Sequence, residues 1–277
     1  MRLALLSPVH GQSIDHIARQ LENYRTFLDP FELRHYLHIS LESSPVLGDQ
    51  LLAFAEREQH SIVLTQRSRP TWRPCTAHAL SELIKTVLAD AATSDAVLIH
   101  TDTDLLFSEA AAQQIKRHRI GCGDKPFRGR DGRWKWTAKA NADPRIQTLV
   151  RELLDGDASA LRIGRVCGAF MPWTVFKTFG VIYNHYFDNT YLEEHPRRHW
   201  PVTEIAIPTI LRYLEGPNSP FQPPLIKAPK NKQVSRALIK RSLRREDCFG
   251  LKKLSRASNL KALQYLETLQ QNAKAAR

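Results

Sequence analysis

The sequence predicts an α/β protein in which a central sheet of parallel strands is covered by helices on both faces and followed by a basic C-terminal extension. Three observations lead there. Short apolar runs alternate strictly with amphipathic segments over the first hundred residues. One such run, Val97-Leu98-Ile99, passes directly into Asp102-Thr103-Asp104. Nearly all of the net charge of +12 lies in residues 227–277, which hold 14 basic and 3 acidic side chains.

Element by element, Leu3-Ala4-Leu5-Leu6 is a buried strand that Ser7-Pro8 closes into a loop. Ser13 caps a helix whose apolar residues Ile14, Ile17, Leu21, Tyr24 and Leu28 recur at helical spacing, and Asp29-Pro30 ends it. A strand over 33–39, a helix over 49–58 and a strand over 61–65 follow. After an irregular loop over 67–74, Leu80, Leu83, Ile84, Val87 and Leu88 mark one face of a helix reaching Ala91. The strand over 97–99 comes next, and Ser108-Glu109 open another helix. Beyond Arg119, a polar stretch with Gly121, Gly123, Gly129, Gly132, Trp134 and Trp136 is too long for a simple connection and reads as a functional loop. A helix over 144–154 and a strand over 162–166 lead to a helix that Thr174 caps and that ends near Phe179. Thr203 caps a further helix with Pro208 in an early turn, and a proline-rich stretch over 216–229 leads into the basic segment.

With 42% hydrophobic and 25% charged residues, the chain is neither disordered nor fibrous. No apolar run approaches the ~18 residues of a membrane helix, and the opening eight residues are too short for a signal sequence. A cytoplasmic protein is expected, its basic segment packed on the body or, as the alternative, in peripheral contact with the anionic inner face of the membrane. Cys75, Cys122, Cys167 and Cys248 fall singly, which excludes a zinc ribbon or a redox pair and fits reduced thiols. Basic clusters at 116–139 and 227–277 attract polyanions, whether nucleic acid, anionic lipid or the diphosphate of a nucleotide. One domain is expected, with residues 1–226 as its body and 227–277 packed on it.

Three segments carry chemistry. Asp102 and Asp104 stand at the carboxyl end of a central strand, where open α/β sheets bind ligands. One such carboxylate can hold a divalent cation bridging two phosphates while the other contacts ribose or a metal-bound water. A plain acidic loop at a strand end has the same appearance. In Trp200-Pro201-Val202-Thr203-Glu204-Ile205, the carboxylate of Glu204 falls in a first helical turn, where it can take a proton from a hydroxyl or merely complement the helix dipole. In Phe249-Gly250-Leu251-Lys252-Lys253-Leu254-Ser255-Arg256, basic side chains can neutralise a leaving diphosphate or form a solvated face.

Taken together, these segments resemble the nucleotide-sugar glycosyltransferases of the GT-A (Rossmann-like) fold. The second and third are similar to segments of bacterial enzymes related to the branching N-acetylglucosaminyltransferases and xylosyltransferases. The resemblance implies a mixed, mainly parallel sheet flanked by helices. It also implies transfer of a hexosyl or N-acetylhexosaminyl unit from a nucleotide sugar such as a UDP-sugar to a saccharide or lipid-linked acceptor, in cell-surface polysaccharide synthesis. Glu204 would be the base of an inverting reaction; Asp102, Asp104, Arg67, Lys252, Lys253 and Arg256 would address the donor; and Trp134, Trp136, Gly168 and Trp173 would meet sugar or acceptor. Asp104 would be the ligand of any Mn or Mg ion. Because no histidine follows His199, the late ligand of typical metal-dependent members is missing. A retaining enzyme and a non-enzymatic nucleic-acid binder are the alternatives. A nucleotidyltransferase would need a Gly-rich phosphate loop after the first strand, and Ser7-Pro8-Val9-His10-Gly11 lacks it.

Overall fold

The computed structural model describes residues 1–72, 75–129, 134–196, 198–229, 234–254 and 260–275. Three βα units open the chain: β1 (Arg2–Val9), α1 (Ile14–Phe27), β2 (Glu32–Ile39), α2 (Leu47–Glu58), β3 (Ser61–Leu64) and α3 (Ala77–Ala89). The next strand, β4 (Ala96–Ile99), lies beside β1, so the strand order reverses between them. These four strands run parallel, and a fifth, β8 (Ala169–Pro172), closes the sheet antiparallel to β4 in the order β3-β2-β1-β4-β8. The sheet is therefore mixed and mainly parallel, as the resemblance implies.

Strand periodicity builds two layers from these sequences. Leu3, Leu5, Ala96 and Leu98 face α1 and α4 (Ala110–Arg117), packing with Tyr24, Phe27 and Ala111. Ala4, Leu6, Val97 and Ile99 face the other way, against α3, α7 (Trp173–Phe187) and α9 (Thr203–Glu215). Between α6 (Pro144–Leu153) and β8, the segment β7 (Arg162–Ile163) pairs with β6 (Lys125–Pro126) in a separate two-stranded sheet. A second small sheet joins β5 (Leu105–Leu106), β9 (Ile226–Lys227) and β10 (Gly250–Leu251). Two late helices, α10 (Arg236–Leu243) and α11 (Leu260–Ala275), pack together, and α11 also lies on α1. Among the described residues, no helix is long and apolar enough to cross a membrane.

Several elements differ from the sequence reading, each for a physical reason. The first strand runs on through Ser7-Pro8, because pairing with β4 stops at Leu6 and proline's missing N–H falls where that edge is free. Residues 169–172 form a strand, although Met171-Pro172-Trp173 carries a turn-like signature. The helix after it continues past Phe179 to Phe187, and Pro172 rather than Thr174 occupies its N-cap. Phe176, Phe179, Tyr183 and Phe187 continue its buried stripe, and Gly180 keeps the stripe close to α3: a Cβ there would meet the Ile84 methyl at 2.8 Å. The expected strand over 162–166 is ordered as strand only at Arg162–Ile163 and lies outside the central sheet. Thr203 is the first helical residue rather than a cap, since Val202 holds that position.

Candidate active site

The site begins with helix α1. Its apolar stripe is paired with a buried polar one, His16, Gln20 and Asn23, at one helical face. His16 Nε2 lies 2.7 Å from the Asp102 carbonyl, Gln20 Nε2 donates to the carbonyls of Thr101 (2.8 Å) and Asp104 (2.6 Å), and Asn23 makes two bonds with the Leu106 backbone. These bonds satisfy backbone groups of the irregular segment leaving β4, which would otherwise be buried and unpaired. Ser13 does cap α1, as its sequence suggests, accepting from the His16 N–H.

The two aspartates then take different parts. Asp102 Oδ2 accepts from the His10 N–H at 2.8 Å and faces a cleft of about 290 Å³ at the carboxyl ends of β1 and β4. Asp104 is wholly buried, and its Oδ2 accepts from the Thr101 N–H at 2.8 Å, closing the turn. Burial pushes both carboxyls up, that of Asp104 to about 6, while the Lys252 ammonium pulls the other way. Asp104, expected to contact donor or metal, closes the turn from beneath and is not among the residues that line the cleft.

Lys252 arrives from the opposite end of the chain. Strand β10 pairs antiparallel with β5, the Phe107 N–H donates to Phe249 O, and the Leu254 N–H donates to Thr103 O. This lacing brings the Lys252 Nζ to 3.0 Å from Cys167 Sγ, beside both aspartates. Burial disfavours its ammonium, but the Cys167 sulfur and the carboxylates of Asp104 and Asp102 outweigh that and keep its pKa above the ordinary lysine value. Lys253 lines the same cleft and donates to the Pro229 carbonyl at 2.8 Å. Arg256 lies outside the described residues.

Glu204 enters from the third side, in the first turn of α9. Proline has no N–H, so Pro208 leaves the Glu204 carbonyl without its helical donor, and the Gly164 N–H takes that place at 2.9 Å. Thr209 Oγ1 also accepts from the Arg162 N–H, so α9 is stitched to β7 at two points. The Glu204 carboxylate accepts from Arg165 Nη1 at 2.7 Å and from the Trp134 side chain. Burial pushes its pKa up, and the charges of Arg165 and Lys252 oppose the rise. Glu204 and Arg165 line both the inner cleft and a wider outer cleft of about 740 Å³.

Of the remaining sequence candidates among the described residues, Trp134 alone lines either of these two clefts, in the outer wall. Trp136 is flanked by Lys135 and Lys139, whose amines sit 4.8 and 5.1 Å from its ring centre. Trp173 stacks on Phe176 inside α7. Gly168 serves the backbone: its φ is +79°, and a Cβ there would meet the Ile226 nitrogen at 2.5 Å. Arg67 is exposed in a separate cavity beside Glu82 and Asp90. His10, Thr71, Trp72 and Arg165 line the inner cleft without having been singled out. The helical spacing of His16, Gln20 and Asn23 on α1, four residues and then three, is a sequence signal that could have found this polar face.

Among the described residues, no group of three or more His, Cys, Asp or Glu side chains is placed to hold a metal ion. The cation beside Asp102 and Asp104 is the Lys252 ammonium.

No protein-family model matches the chain, and no curated protein matches it. Among solved structures, it is similar to the galactosyltransferase LgtC in complex with donor and acceptor sugar analogues, at 10% identity and a TM-score of 0.53, over 97% of this chain and 95% of that one. It also matches the mannosyltransferase PcManGT from Pyrobaculum calidifontis in complex with GDP-Man and Mn2+, at 18% identity and a TM-score of 0.38, over 65% of this chain. The chain spans less than half of that enzyme, 46% of its length. A third match is TarS of S. aureus in complex with UDP-GlcNAc, at 16% identity and a TM-score of 0.32, covering 48% of this chain and 36% of that one. The architecture is the GT-A fold.

Proposed function

We propose that the chain is a nucleotide-sugar glycosyltransferase that inverts the anomeric centre, with the donor diphosphate in the inner cleft and the acceptor in the outer one. The observation that carries this reading is the convergence of Asp102, Lys252 and Glu204 on one cleft where the strand order reverses. Such a crevice is the general ligand position of open α/β sheets. LgtC, whose fold the chain shares along its whole length, holds donor and acceptor sugar analogues in its structure.

The chemistry follows from the charges. Glu204 takes the proton of an acceptor hydroxyl as that oxygen attacks the anomeric carbon. The bond from that carbon to the diphosphate oxygen breaks, and Lys252 meets the negative charge growing on the leaving group. Asp102, fixed by the His10 N–H, holds the nucleotide side, and the Lys252 ammonium supplies positive charge beside it. Residues 227–254 belong to the same working unit, since they deliver Lys252.

The test is a thermal-shift panel of nucleoside diphosphates on the whole chain, with and without Mn2+ or Mg2+. At least one diphosphate should raise the melting temperature at millimolar concentration, without added metal, because a ligand of the folded state stabilises by RT ln(1 + [L]/Kd). No shift from any of them would overturn the reading.

A further inference from the structure

The outer cleft has a charge pattern that transfer of a sugar to just any hydroxyl does not require. Lys125 pairs across the two-stranded sheet with Ile163, and the Gly123 N–H donates to Arg165 O at 3.4 Å, carrying the pairing one step further. Side chains alternate along a strand, so Lys125, Ile163 and Arg165 fall on one face, and all three line the cleft. As diagonal cross-strand neighbours, the two residues have backbones roughly 7–8 Å apart, within reach of one anionic group for side chains of this length. Gly123 and Gly164 let the backbones approach this closely, since a Cβ on either would run into the other's main chain.

The carboxylates of the wall are already matched. Asp124 pairs with Arg212 and Arg162, Asp247 with Lys227 and Arg245, and Glu204 with Arg165. Counting Lys125, six cationic side chains serve three carboxylates. Arg165 gives Glu204 one nitrogen while its side chain stays 66% exposed, and Lys125 is exposed beside it. The volume, about 740 Å³, accommodates more than a monosaccharide, and the Trp134 indole supplies an apolar wall.

We propose that the outer cleft takes a saccharide carrying an anionic group, a phosphate or a carboxylate. Lys125 and Arg165 clamp that group while a neighbouring hydroxyl faces Glu204. The proposal rests on the reading of Glu204 as base. In the reaction, the acceptor O–H proton passes to the Glu204 carboxylate and its oxygen bonds to the anomeric carbon. The bond between that carbon and the diphosphate breaks with its electron pair leaving on the diphosphate, and the clamped anion is unchanged.

The experiment measures binding to the whole chain by calorimetry, with glucose 6-phosphate, glucuronate, glucose and inorganic phosphate as probes and UDP as reporter of the inner cleft. At least one anionic sugar should bind about tenfold or more tighter than glucose, and the two sugars compared tell phosphate from carboxylate. Lys125→Gln should remove most of that preference while UDP affinity and melting temperature hold, and Lys125→Glu should invert it. Equal affinity for glucose, an unchanged preference in Lys125→Gln, or inorganic phosphate binding as tightly as glucose 6-phosphate would each overturn the proposal. If the anionic sugar binds through Lys125 but UDP does not bind at all, the clamp stands and the transferase reading falls.

Discussion

Arg165 and Glu204 meet at the seam of two cavities, 2.7 Å apart, the guanidinium side 66% exposed and the carboxylate side 16% exposed. A carboxylate so placed is drawn two ways: burial favours its neutral form, and the exposed cation favours its charged form. Unlike an ordinary surface pair, this contact sets the protonation of a group that both cavities share.

Replacing Glu204 by Gln retains size and much of the hydrogen bonding but removes the proton acceptor. Transfer should fall by roughly 100-fold or more with nucleotide affinity unchanged. A carboxylate that only complements the helix dipole would cost about 0.3–1 kcal/mol of stability and leave turnover nearly intact. Rates and nucleotide affinity measured together separate the two, and near-normal turnover would reopen a retaining reaction.

Arg165→Met should raise the pKa of the Glu204 carboxyl, because the charge that opposes its burial is gone. The acidic limb of the kcat/KM profile should move to higher pH, and Arg165→Lys should restore most of its position. A limb that stays in place in the methionine variant would show that the pair does not govern the base.

Stability should fall as solutions are acidified from neutral. Burial pushes His38 and His100 down to about 4, so the folded chain keeps them neutral while the unfolded chain protonates near ~6.5. Their contribution is complete above that value, declines as pH falls through it and levels off below about 4. Asp104, pushed up to about 6, acts oppositely: it is protonated in the folded chain first and so gains stability on acidification. Asp102 and Glu204 are raised in the same sense, but the imidazoles of His16, His35, His60 and His78 are lowered by burial along with His38 and His100, so the histidines outnumber the carboxyls. Urea midpoints at pH 7.5, 6 and 4.5 should therefore decrease in that order, and a flat or rising series would contradict the assignment.

Removing residues 260–277 should lower the melting temperature. Ala262, Leu263 and Leu266 are buried against Leu105, Phe107 and Ile239, and each buried leucine contributes about 1.5–3 kcal/mol. The apolar face of α11 is thus spent on the body. An unchanged melting temperature accompanied by loss of binding to anionic liposomes would instead assign that helix to a membrane surface.

Much of this architecture was legible in the sequence because its signals are local. Apolar runs four residues long and the Ser13 cap each dictate their own element, and the Asp-Thr-Asp triplet announces a strand end. What escaped depends on distant partners. Whether Asp102 or Asp104 faces outward is decided by His16 and Gln20 on α1 and by the Thr101 N–H, none of which changes the triplet. The strand at 169–172 exists because β4 offers it an edge. Arg165 acquires its place from a two-stranded sheet whose strands are separated in sequence by two α-helices, 137–141 and α6, and no periodicity reports such a pairing.

Pro208 has a mechanical consequence. Because the carbonyl of Glu204 is held by Gly164 and not by its own helix, the residue is tethered to the floor of the outer cleft. A displacement of Gly164 is passed to the Glu204 backbone through that bond, which couples the residue more directly to the floor of the outer cleft than to the nucleotide side. Restoring an N–H at position 208 would give the carbonyl two claimants and loosen that coupling.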